Sequence, residues 1–179
     1  MSARTTWIVL FRGVGGKTQL PVKPLREKLA EAGYEDVATY INSGNAIVTT
    51  RKSRDTTTKE IAAICSREFG FDKDIHLRSA REWRELIDSN PFPEAVDAPK
   101  FLHAAVLAGQ PKDGAIEKLR GFAAGNERIE LVGHVVYLHT PGGFGTSKVA
   151  EKFDKGIGVA NTARNWNTVL RLAEMAGAN

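Results

Sequence analysis

Residues 6–12 read Thr-Trp-Ile-Val-Leu-Phe-Arg (TWIVLFR), a run of β-branched and aromatic side chains that predicts a strand. Apolar side chains at helical spacing then predict a helix over residues 21–32. Two further strands, near residues 37–42 and 45–50, are joined by a predicted turn at Ser43-Gly44 and form a hairpin. This strand, helix and hairpin begin a pattern that the rest of the chain extends.

The next segment completes the first half of the chain. Thr57 and Glu60 match a capping box, so they predict the start of a second helix. A strand near residues 74–78 follows that helix. The resulting order, β-α-β-β-α-β, is that of a ferredoxin-like split fold.

The same order then begins again. Ser79 and Glu82 match a second capping box, and the proline-rich segment at residues 90–99 is the predicted connection. The later predictions are a strand at 101–107, a helix at about 112–123 with Ile116, Leu119 and Phe122 inward, a hairpin turning at Gly133-His134, a helix opening at Thr146 or Ser147, and a final helix at about 163–176. We therefore predict an α+β fold of two ferredoxin-like βαββα halves, residues 1–90 and 91–179, packed into one compact unit.

Composition sets the class of protein. The chain has 179 residues, of which 42% are hydrophobic and 26% charged, the mix of an ordinary globular protein. A single cysteine excludes a disulfide framework, and no Cys/His spacing predicts a zinc site. The sequence has neither a signal-peptide pattern nor an apolar run long enough to span a membrane. We expect a cytoplasmic protein with no metal, cofactor or membrane partner, and the oligomeric state stays open.

Positive charge is concentrated near the N-terminus. Residues 1–59 hold ten Lys and Arg but five Asp and Glu, whereas the remainder of the chain has a net charge of −1. The excess lies at residues 12–28 and 51–59. Such a field attracts phosphates and other anions, although a solvated surface with a mild charge bias is the simpler interpretation.

The first glycine-rich loop predicts an anion site of limited specificity. A nucleotide-binding P-loop needs a glycine where this chain has Phe11, so that class is excluded. The backbone N–H groups of Gly13, Gly15 and Gly16, with the ammonium of Lys17, still form a candidate anion nest. The alternative is a flexible turn between strand and helix.

Two more polar segments are candidate ligand contacts. In the hairpin, Asn42, Ser43 and Asn45 are predicted to bond the turn backbone and to offer donors at the tip of the sheet.

Near the C-terminus, Thr162 is a predicted N-cap, and Trp166, Val169, Leu170 and Ala173 form an apolar helical stripe that makes Trp166 a core anchor. The opposite face carries Arg164, Asn167, Thr168 and Arg171, which is compatible with an acidic partner or a phosphate backbone, although a solvated or interdomain face is the simpler interpretation.

Candidates for catalysis are weak. Cys65 lies on a predicted apolar helix stripe, where we expect it to be buried and inert. The four histidines share no ligand spacing, and no serine lies in a Gly-x-Ser-x-Gly elbow. The strand NAIVTTR lacks the aromatic residues of an RNA-recognition sheet, although contact with a nucleic-acid backbone needs charge alone.

Three segments together carry a resemblance to a known family. RGVGGK at residues 12–17, YINSGNAIV at 40–48 and TARNWNTVLRL at 162–172 resemble, in this order, the bacterial domain-of-unknown-function family 1697. The resemblance implies an α+β fold with two ferredoxin-like repeats but no activity, because the family is uncharacterised. The residues that fit its pattern are Arg12, Asn42, Ser43, Gly44, Asn45, Arg164, Asn165, Trp166 and Asn167.

The chain also departs from the family. Its first loop is two residues shorter than the usual Arg-Gly-Ile-Asn-Val-Gly-Gly and has lost the asparagine, and Ala163 replaces a frequent threonine.

Our leading hypothesis is a non-enzymatic binder of an anionic ligand, either nucleic acid or a phosphorylated small molecule. The candidate ligand-binding residues are Arg12, Lys17, Asn42, Ser43, Asn45, Arg164, Asn165 and Asn167. The alternatives are an enzyme with a site between the two halves and an assembly protein.

Overall fold

The computed structural model describes residues 2–42 and 44–178, which form eight strands and six α-helices in two compact units. The strands are β1 (Thr5–Phe11), β2 (Glu35–Tyr40), β3 (Asn45–Thr50), β4 (Ile75–Ser79), β5 (Leu102–Leu107), β6 (Arg128–Val132), β7 (Val135–His139) and β8 (Asn161–Asn165). The helices are α1 (Val22–Glu31), α2 (Arg54–Phe69), α3 (Ala80–Asp88), α4 (Ala115–Arg120), α5 (Lys148–Ile157) and α6 (Trp166–Ala176). Unit 1 contains the described residues up to Glu85 and from Leu172 onward, and unit 2 contains Leu86–Arg171. The predicted α+β class and the two similar halves are confirmed.

Each half has one four-stranded antiparallel sheet with the same internal order. Unit 1 has the order β2-β3-β1-β4, and unit 2 has the order β6-β7-β5-β8. The first strand of each half is therefore central, since β1 lies between β3 and β4 and β5 lies between β7 and β8. The central strand β1 is buried on both faces, as its consecutive side chains Ile8, Val9 and Leu10 show. This explains why β1 reads as a continuous apolar run rather than an alternating one.

Helices cover one face of each sheet. In unit 1 the core contains Val9 and Phe11 from β1, Leu25 from α1 and Ile61 and Cys65 from α2. The equivalent core of unit 2 is formed by buried side chains of β5, β7, α4 and α5, namely Ala105, Leu107, Val136, Leu138, Ile116, Leu119, Val149, Phe153 and Ile157. Phe122, predicted to point inward, is 44% exposed because α4 ends two residues earlier, at Arg120.

Strand β8 corrects the prediction for the C-terminal segment. Residues 162–165 are predicted to cap and begin the last helix, but they belong to β8, which pairs with β5 so that Asn161 lies opposite Leu107 and Asn165 opposite His103. The helix starts at Trp166, and Asn165 rather than Thr162 supplies the cap, since its Oδ1 accepts from the Thr168 N–H at 3.1 Å. Pairing with a central strand has overridden the local helical pattern.

The helical stripe shifts as well. Leu170, predicted as buried, is exposed, whereas Leu172 is buried together with Trp166, Val169 and Ala173. Because Arg164 lies on a strand, it shares no helix face with Asn167, Thr168 and Arg171, and Thr168 is itself buried. The prediction of a four-residue polar helix stripe is therefore wrong. The prediction that Trp166 is a core residue is confirmed.

The capping boxes have different outcomes. Ser79 and Glu82 form one at the start of α3, since the Glu82 N–H donates to the Ser79 hydroxyl at 3.2 Å and the Ser79 N–H donates to the Glu82 carboxylate at 2.7 Å. The box predicted at Thr57 is wrong. Helix α2 begins three residues earlier, at Arg54, and the Ser53 hydroxyl accepts from the Thr56 N–H.

A strand-to-helix junction recurs in the two halves. In β4 the Arg78 Nη1 donates to the carbonyl of Leu77 at 2.9 Å, and in β8 the Arg164 Nη1 donates to the carbonyl of Ala163 at 2.8 Å. The next residue caps the following helix in both cases. Among the described residues, no helix has the length and apolar content required to cross a membrane.

Candidate functional site

Three connections meet at one end of the unit 1 sheet, and we call them the loop cluster. They are the β1–α1 loop (residues 12–21), the described residues of the β2–β3 turn (41, 42 and 44) and the α2–β4 loop (70–74). The Phe11 N–H donates to the Gly44 carbonyl at 2.9 Å, and the Arg12 N–H donates to the Asp74 carbonyl at 3.0 Å. The strand order requires this meeting, because β1 lies between β3 and β4.

Gly44 brings the turn close to the β1–α1 loop. Its φ is +79°, and a Cβ at this position would lie 2.6 Å from the Val14 Cγ2 and 3.0 Å from the Phe11 Cβ. Real Cβ atoms do not approach other atoms so closely, so a side chain here would push the two loops apart. Besides the turn role predicted for this segment, Gly44 therefore lets the turn pack closely against the β1–α1 loop.

The β1–α1 loop is itself a tight turn. Gly15 and Thr18 exchange two backbone hydrogen bonds, of 2.6 and 2.9 Å, and the Gln19 Nε2 donates to the Gly16 carbonyl at 3.1 Å. The predicted anion nest is thus altered, since the Gly15 N–H is used within the loop. Lys17 lies at the tip of this turn and is exposed.

A depression of about 390 Å³ adjoins this turn. It is lined by Gly16, Lys17, Thr18, Gln19, Phe69, Gly70 and Phe71. One wall is therefore the C-terminal end of α2, where the carbonyls of Cys65 and Ser66 accept from the N–H groups of Phe71 and Gly70. A helix C-terminus carries partial negative charge, so an anion bound here must be held by the cations of the loops and not by the helix.

Lys73 is a further cation of the loop cluster that the sequence analysis did not select. Its Cγ would lie 3.8 Å from a Cβ built on Gly13, so the stem of the lysine lies beside the β1–α1 loop. Asp72 of the same connection bonds the Ser66 hydroxyl at 2.5 Å. The signal that could have found Lys73 is topological, because β4 pairs with β1 and the residues before β4 must lie near those after β1.

The three asparagine and serine candidates of the hairpin differ from one another. Asn42 is exposed at the turn. Asn45 is 2% exposed, and its Nδ2 donates to the Tyr40 carbonyl at 3.3 Å, so it holds the turn from inside. Ser43 lies outside the described residues.

Ile41 has an unusual conformation in this turn. Its φ is +46°, and its side chain is 51% exposed. A β-branched residue in the left-handed region crowds its Cβ against the following carbonyl, at a cost of about 1–2 kcal/mol. The described part of the turn therefore carries a strained residue with an exposed apolar side chain.

The remaining predicted contacts belong to unit 2. Arg164 is half-buried, and its guanidinium donates to the Thr162 hydroxyl at 2.7 Å as well as to the Ala163 carbonyl. Asn165 caps α6, and Asn167 is exposed in the first turn of that helix. Unit 1 thus brings together Arg12, Lys17, Asn42 and Asn45, while unit 2 holds the other three.

Unit 2 has a larger groove of different character. It measures about 490 Å³ and is lined by Gln110, Pro111, Lys112, Asp113, Gly114, Ala115, Ile116, Glu117, Arg120, Glu130 and Leu131. Both signs of charge line it, and the Arg120 guanidinium lies 3.3 Å from the Glu130 carboxylate. This mixture favours neither an anion nor a cation.

Two reactive side chains among the described residues, Cys65 and His103, are held in their neutral forms by burial. Burial raises the pKa of the Cys65 thiol to about 12, so the predicted buried, inert cysteine is confirmed. Burial also lowers the pKa of His103 to about 4, and the ring of this histidine stacks on Phe144 at 3.9 Å between centroids. Over residues 2–42 and 44–178, no group of three or more His, Cys, Asp or Glu side chains is arranged to hold a metal ion.

Comparison with known proteins gives a family and a fold. A family model described as "Protein of unknown function (DUF1697)" matches residues 4–137. The solved structure of the conserved bacterial protein SP0830 from Streptococcus pneumoniae is 20% identical, covers 97% of this chain and 99% of its own, and superposes with a TM-score of 0.76. Protein BT0572 from Bacteroides thetaiotaomicron is 12% identical over 98% of this chain and 96% of its own, with a TM-score of 0.21 that supports no structural inference. No curated protein matches the chain.

Proposed function

Because the chain belongs to the family described as protein of unknown function DUF1697, which assigns no activity, we propose from its loop cluster that it is a non-enzymatic binder of an anionic ligand. The ligand is a phosphorylated small molecule or a nucleic acid. Arg12 and Lys17 supply the charge, and Asn42 supplies directional hydrogen bonds. We propose that the protein is soluble and acts in the cytoplasm.

The observation that carries the proposal is the meeting of three loops beside a polar depression. Lys17 lines that depression, and Arg12 and Lys73 belong to the two connections that contribute its lining residues. Cations on converging loops with exposed backbone are a common way to hold phosphate oxygens. Since the neighbouring helix end repels anions, affinity depends on these side chains and on the backbone N–H groups of the loops.

The test measures binding with and without the loop cations. Fluorescence anisotropy with labelled single-stranded DNA and RNA, and calorimetry with inorganic phosphate and phosphorylated small molecules, are each run at about 50 and 200 mM salt. We expect binding that weakens with salt and falls about tenfold in the double variant Arg12→Ala/Lys17→Ala, the loss expected for about 1.4 kcal/mol of interaction.

The matched control removes the same charge elsewhere in unit 1. Lys59 and Arg81 lie on exposed helix faces, with side chains 75% and 88% exposed, so Lys59→Ala/Arg81→Ala preserves the loop cluster. It should bind like the wild type. Equal losses in both double variants would show a general effect of net charge and would contradict a site in the loop cluster.

A further inference from the structure

The groove of unit 2 adjoins a sheet edge. Strand β6 is the first strand in the order β6-β7-β5-β8, so it pairs with β7 on one side and has an open edge on the other. Glu130 and Leu131 of this strand line the groove, which measures about 490 Å³. The groove therefore gives access to the backbone of an edge strand.

The hydrogen-bond pattern shows which backbone groups of β6 point away from the sheet. The Leu107 N–H donates to the His134 carbonyl at 2.9 Å, so the even-numbered residues of β7 bond to β5. Because the bonding residues of an antiparallel strand alternate, the odd-numbered residues of β7 bond to β6. Glu130 lies opposite Tyr137 and therefore bonds to β7, whereas its two neighbours in β6 direct their N–H and carbonyl groups outward.

These two outward-facing residues, Ile129 and Leu131, have different surroundings. The Arg120 guanidinium donates to the Ile129 carbonyl at 3.4 Å and to the Glu130 carboxylate at 3.3 Å, both longer than strong hydrogen bonds. A charged side chain placed in this way covers part of the edge. In the part of the chain that the structure describes, the outward N–H and carbonyl of Leu131 have no hydrogen-bond partner. Leu131 thus offers one donor and one acceptor to the groove.

Helix α4 forms another wall of the groove. Arg120 follows Ile116 by four positions and Glu117 by three, so these lining residues share one face of the helix. Ile116 belongs to the unit 2 core against which Leu131 packs, and Glu117 is exposed. The exposed carboxylate of Asp113 lines the same groove. An open strand edge with side-chain contacts beside it is the arrangement by which proteins bind extended peptides.

We propose that unit 2 binds an extended segment of a partner polypeptide, which adds to β6 as a fifth, antiparallel strand of the sheet. Its backbone pairs with the outward N–H and carbonyl of Leu131. An apolar side chain of the segment contacts Ile116, and a basic side chain two positions away, on the same face, pairs with Asp113 and Glu117. A simple ion meets both signs of charge here, whereas a chain contacts these carboxylates and Arg120 at separate points.

A second copy of the chain fits this edge less well than a separate segment. Two-fold antiparallel pairing of β6 with itself, using both outward-facing residues, bonds Ile129 of one copy to Leu131 of the other. Such pairing is centred on Glu130 and places its carboxylates from the two copies directly opposite each other. Like charges in this position destabilise a strand pair.

The probe is a fluorescein-labelled, C-terminally amidated heptapeptide, Thr-Val-Thr-Lys-Thr-Val-Thr, and binding is measured by fluorescence anisotropy. Its valines and lysine share one face, and the antiparallel arrangement makes these residues bond to β6. N-methylation of their amides is expected to weaken binding at least about tenfold, because it removes the donors of the added strand. N-methylation of the threonines, whose amides point away from β6, is the matched control and should change the affinity less than about threefold.

Variants of the protein test the same contacts from the other side. Leu131→Pro removes the outward N–H, which the β6–β7 pairing does not use, and is expected to weaken binding about tenfold. Asp113→Asn/Glu117→Gln should weaken it about threefold to fivefold, as exposed ion pairs predict. Asp97→Asn/Glu151→Gln is the control, because these exposed carboxylates of unit 2 do not line the groove, and it should bind like the wild type.

The outcomes are decisive. Absence of binding at about 1 mM peptide, or equal affinity of the two methylated peptides, overturns the proposal. Sedimentation that shows a dimer of the wild type and a monomer of Leu131→Pro assigns the edge to a second copy and overturns it as well. The loop-cluster variant Arg12→Ala/Lys17→Ala should bind the peptide like the wild type, and a loss there would place the peptide in unit 1.

Discussion

Gly44 controls the distance between the hairpin turn and the β1–α1 loop, because no atom larger than hydrogen fits between its Cα and Val14. We expect Gly44→Ala to destabilise the protein by about 2–4 kcal/mol, which combines the cost of a left-handed alanine with that of overpacking. Gly33→Ala is the matched control, since Gly33 has a φ of +87° but no atom within 4 Å of a built Cβ. It should cost about 1 kcal/mol. Urea unfolding measures both.

A double variant isolates the steric part of this effect. Adding Val14→Ala to Gly44→Ala should recover part of the stability, because the closest contact, at 2.6 Å, is then removed. Recovery should be incomplete, since the Phe11 Cβ and carbonyl stay at 3.0 and 3.2 Å. Equal stability of the two single glycine variants would show that the turn moves away from Val14 at no cost.

Glu82 makes the stability of unit 1 depend on pH. Burial raises the pKa of this carboxyl, but hydrogen bonds from Arg54 and from the Ser79 N–H outweigh burial and hold the pKa below its usual value of 4.5. A carboxylate with a depressed pKa contributes stability above its unfolded-state pKa and loses it as the pH falls through the folded-state pKa. Glu82→Gln should therefore be less stable than the wild type at neutral pH, and the difference should shrink below pH 4.5.

The comparison is made by urea unfolding at about pH 7 and about pH 3. Glu85→Gln serves as the control, because Glu85 is an exposed partner of Arg81 on the same helix and such pairs contribute little. A difference between Glu82→Gln and the wild type that grows on acidification would contradict the assigned direction of the pKa shift.

At the scale of an element, the start of α2 gives a direct test of which residue caps it. Ser53→Ala removes the acceptor of the Thr56 N–H and should cost about 1 kcal/mol. Thr58 is the control, since its hydroxyl only bonds the Arg54 carbonyl one turn back on the exposed face. Thr58→Ala should be neutral or slightly stabilising, because alanine has the higher helix propensity. A larger loss for Thr58→Ala in urea unfolding would refute this cap.

Elements with strong local signals were predictable, and those set by tertiary pairing were not. The apolar run of β1, the hairpin turn at Gly133-His134 and the Ser79 capping box all depend on neighbours in sequence, and each is found as predicted. Strand β8 has a sequence that also suits a helix start, and its identity depends on β5, which lies more than fifty residues away. The prediction for Thr57 failed for a local reason, since Ser53 offers an earlier cap and Thr57 therefore lies inside α2, where it is buried.

The candidate site divides in the same way. Glycines and a lysine after a strand predicted the β1–α1 loop, and the Asn-Ser-Gly-Asn turn predicted the hairpin tip. The contact between Gly44 and Val14, the position of Lys73 and the strain at Ile41 depend on the three-dimensional meeting of loops, so no local pattern contained them.

At the scale of the whole molecule, ligand binding should stabilise the fold of unit 1, and a buried thiol of that unit can report it. Cys65 is buried in the core of that unit, so thiol reagents react with it only when the unit opens. Phenyl phosphate at tenfold its dissociation constant should slow labelling about elevenfold, because a ligand that binds the folded state alone stabilises it in proportion to occupancy. Labelling in moderate urea measures this effect.

The double variant Arg12→Ala/Lys17→Ala provides the control for this experiment. It retains Cys65 and the core but lacks the cations, so the same concentration of phenyl phosphate should leave its labelling rate nearly unchanged. Equal protection in the variant and the wild type would place the ligand elsewhere on the protein.

The junction Arg78-Ser79 of the first half recurs as Arg164-Asn165 in the second half, 86 positions later. The two halves can therefore be aligned residue by residue at this junction. A mutational scan of either junction can be superimposed on the other, arginine on arginine and cap on cap. Positions at which the two profiles differ identify the contacts that are particular to one half, such as the bond from Arg164 to the Thr162 hydroxyl.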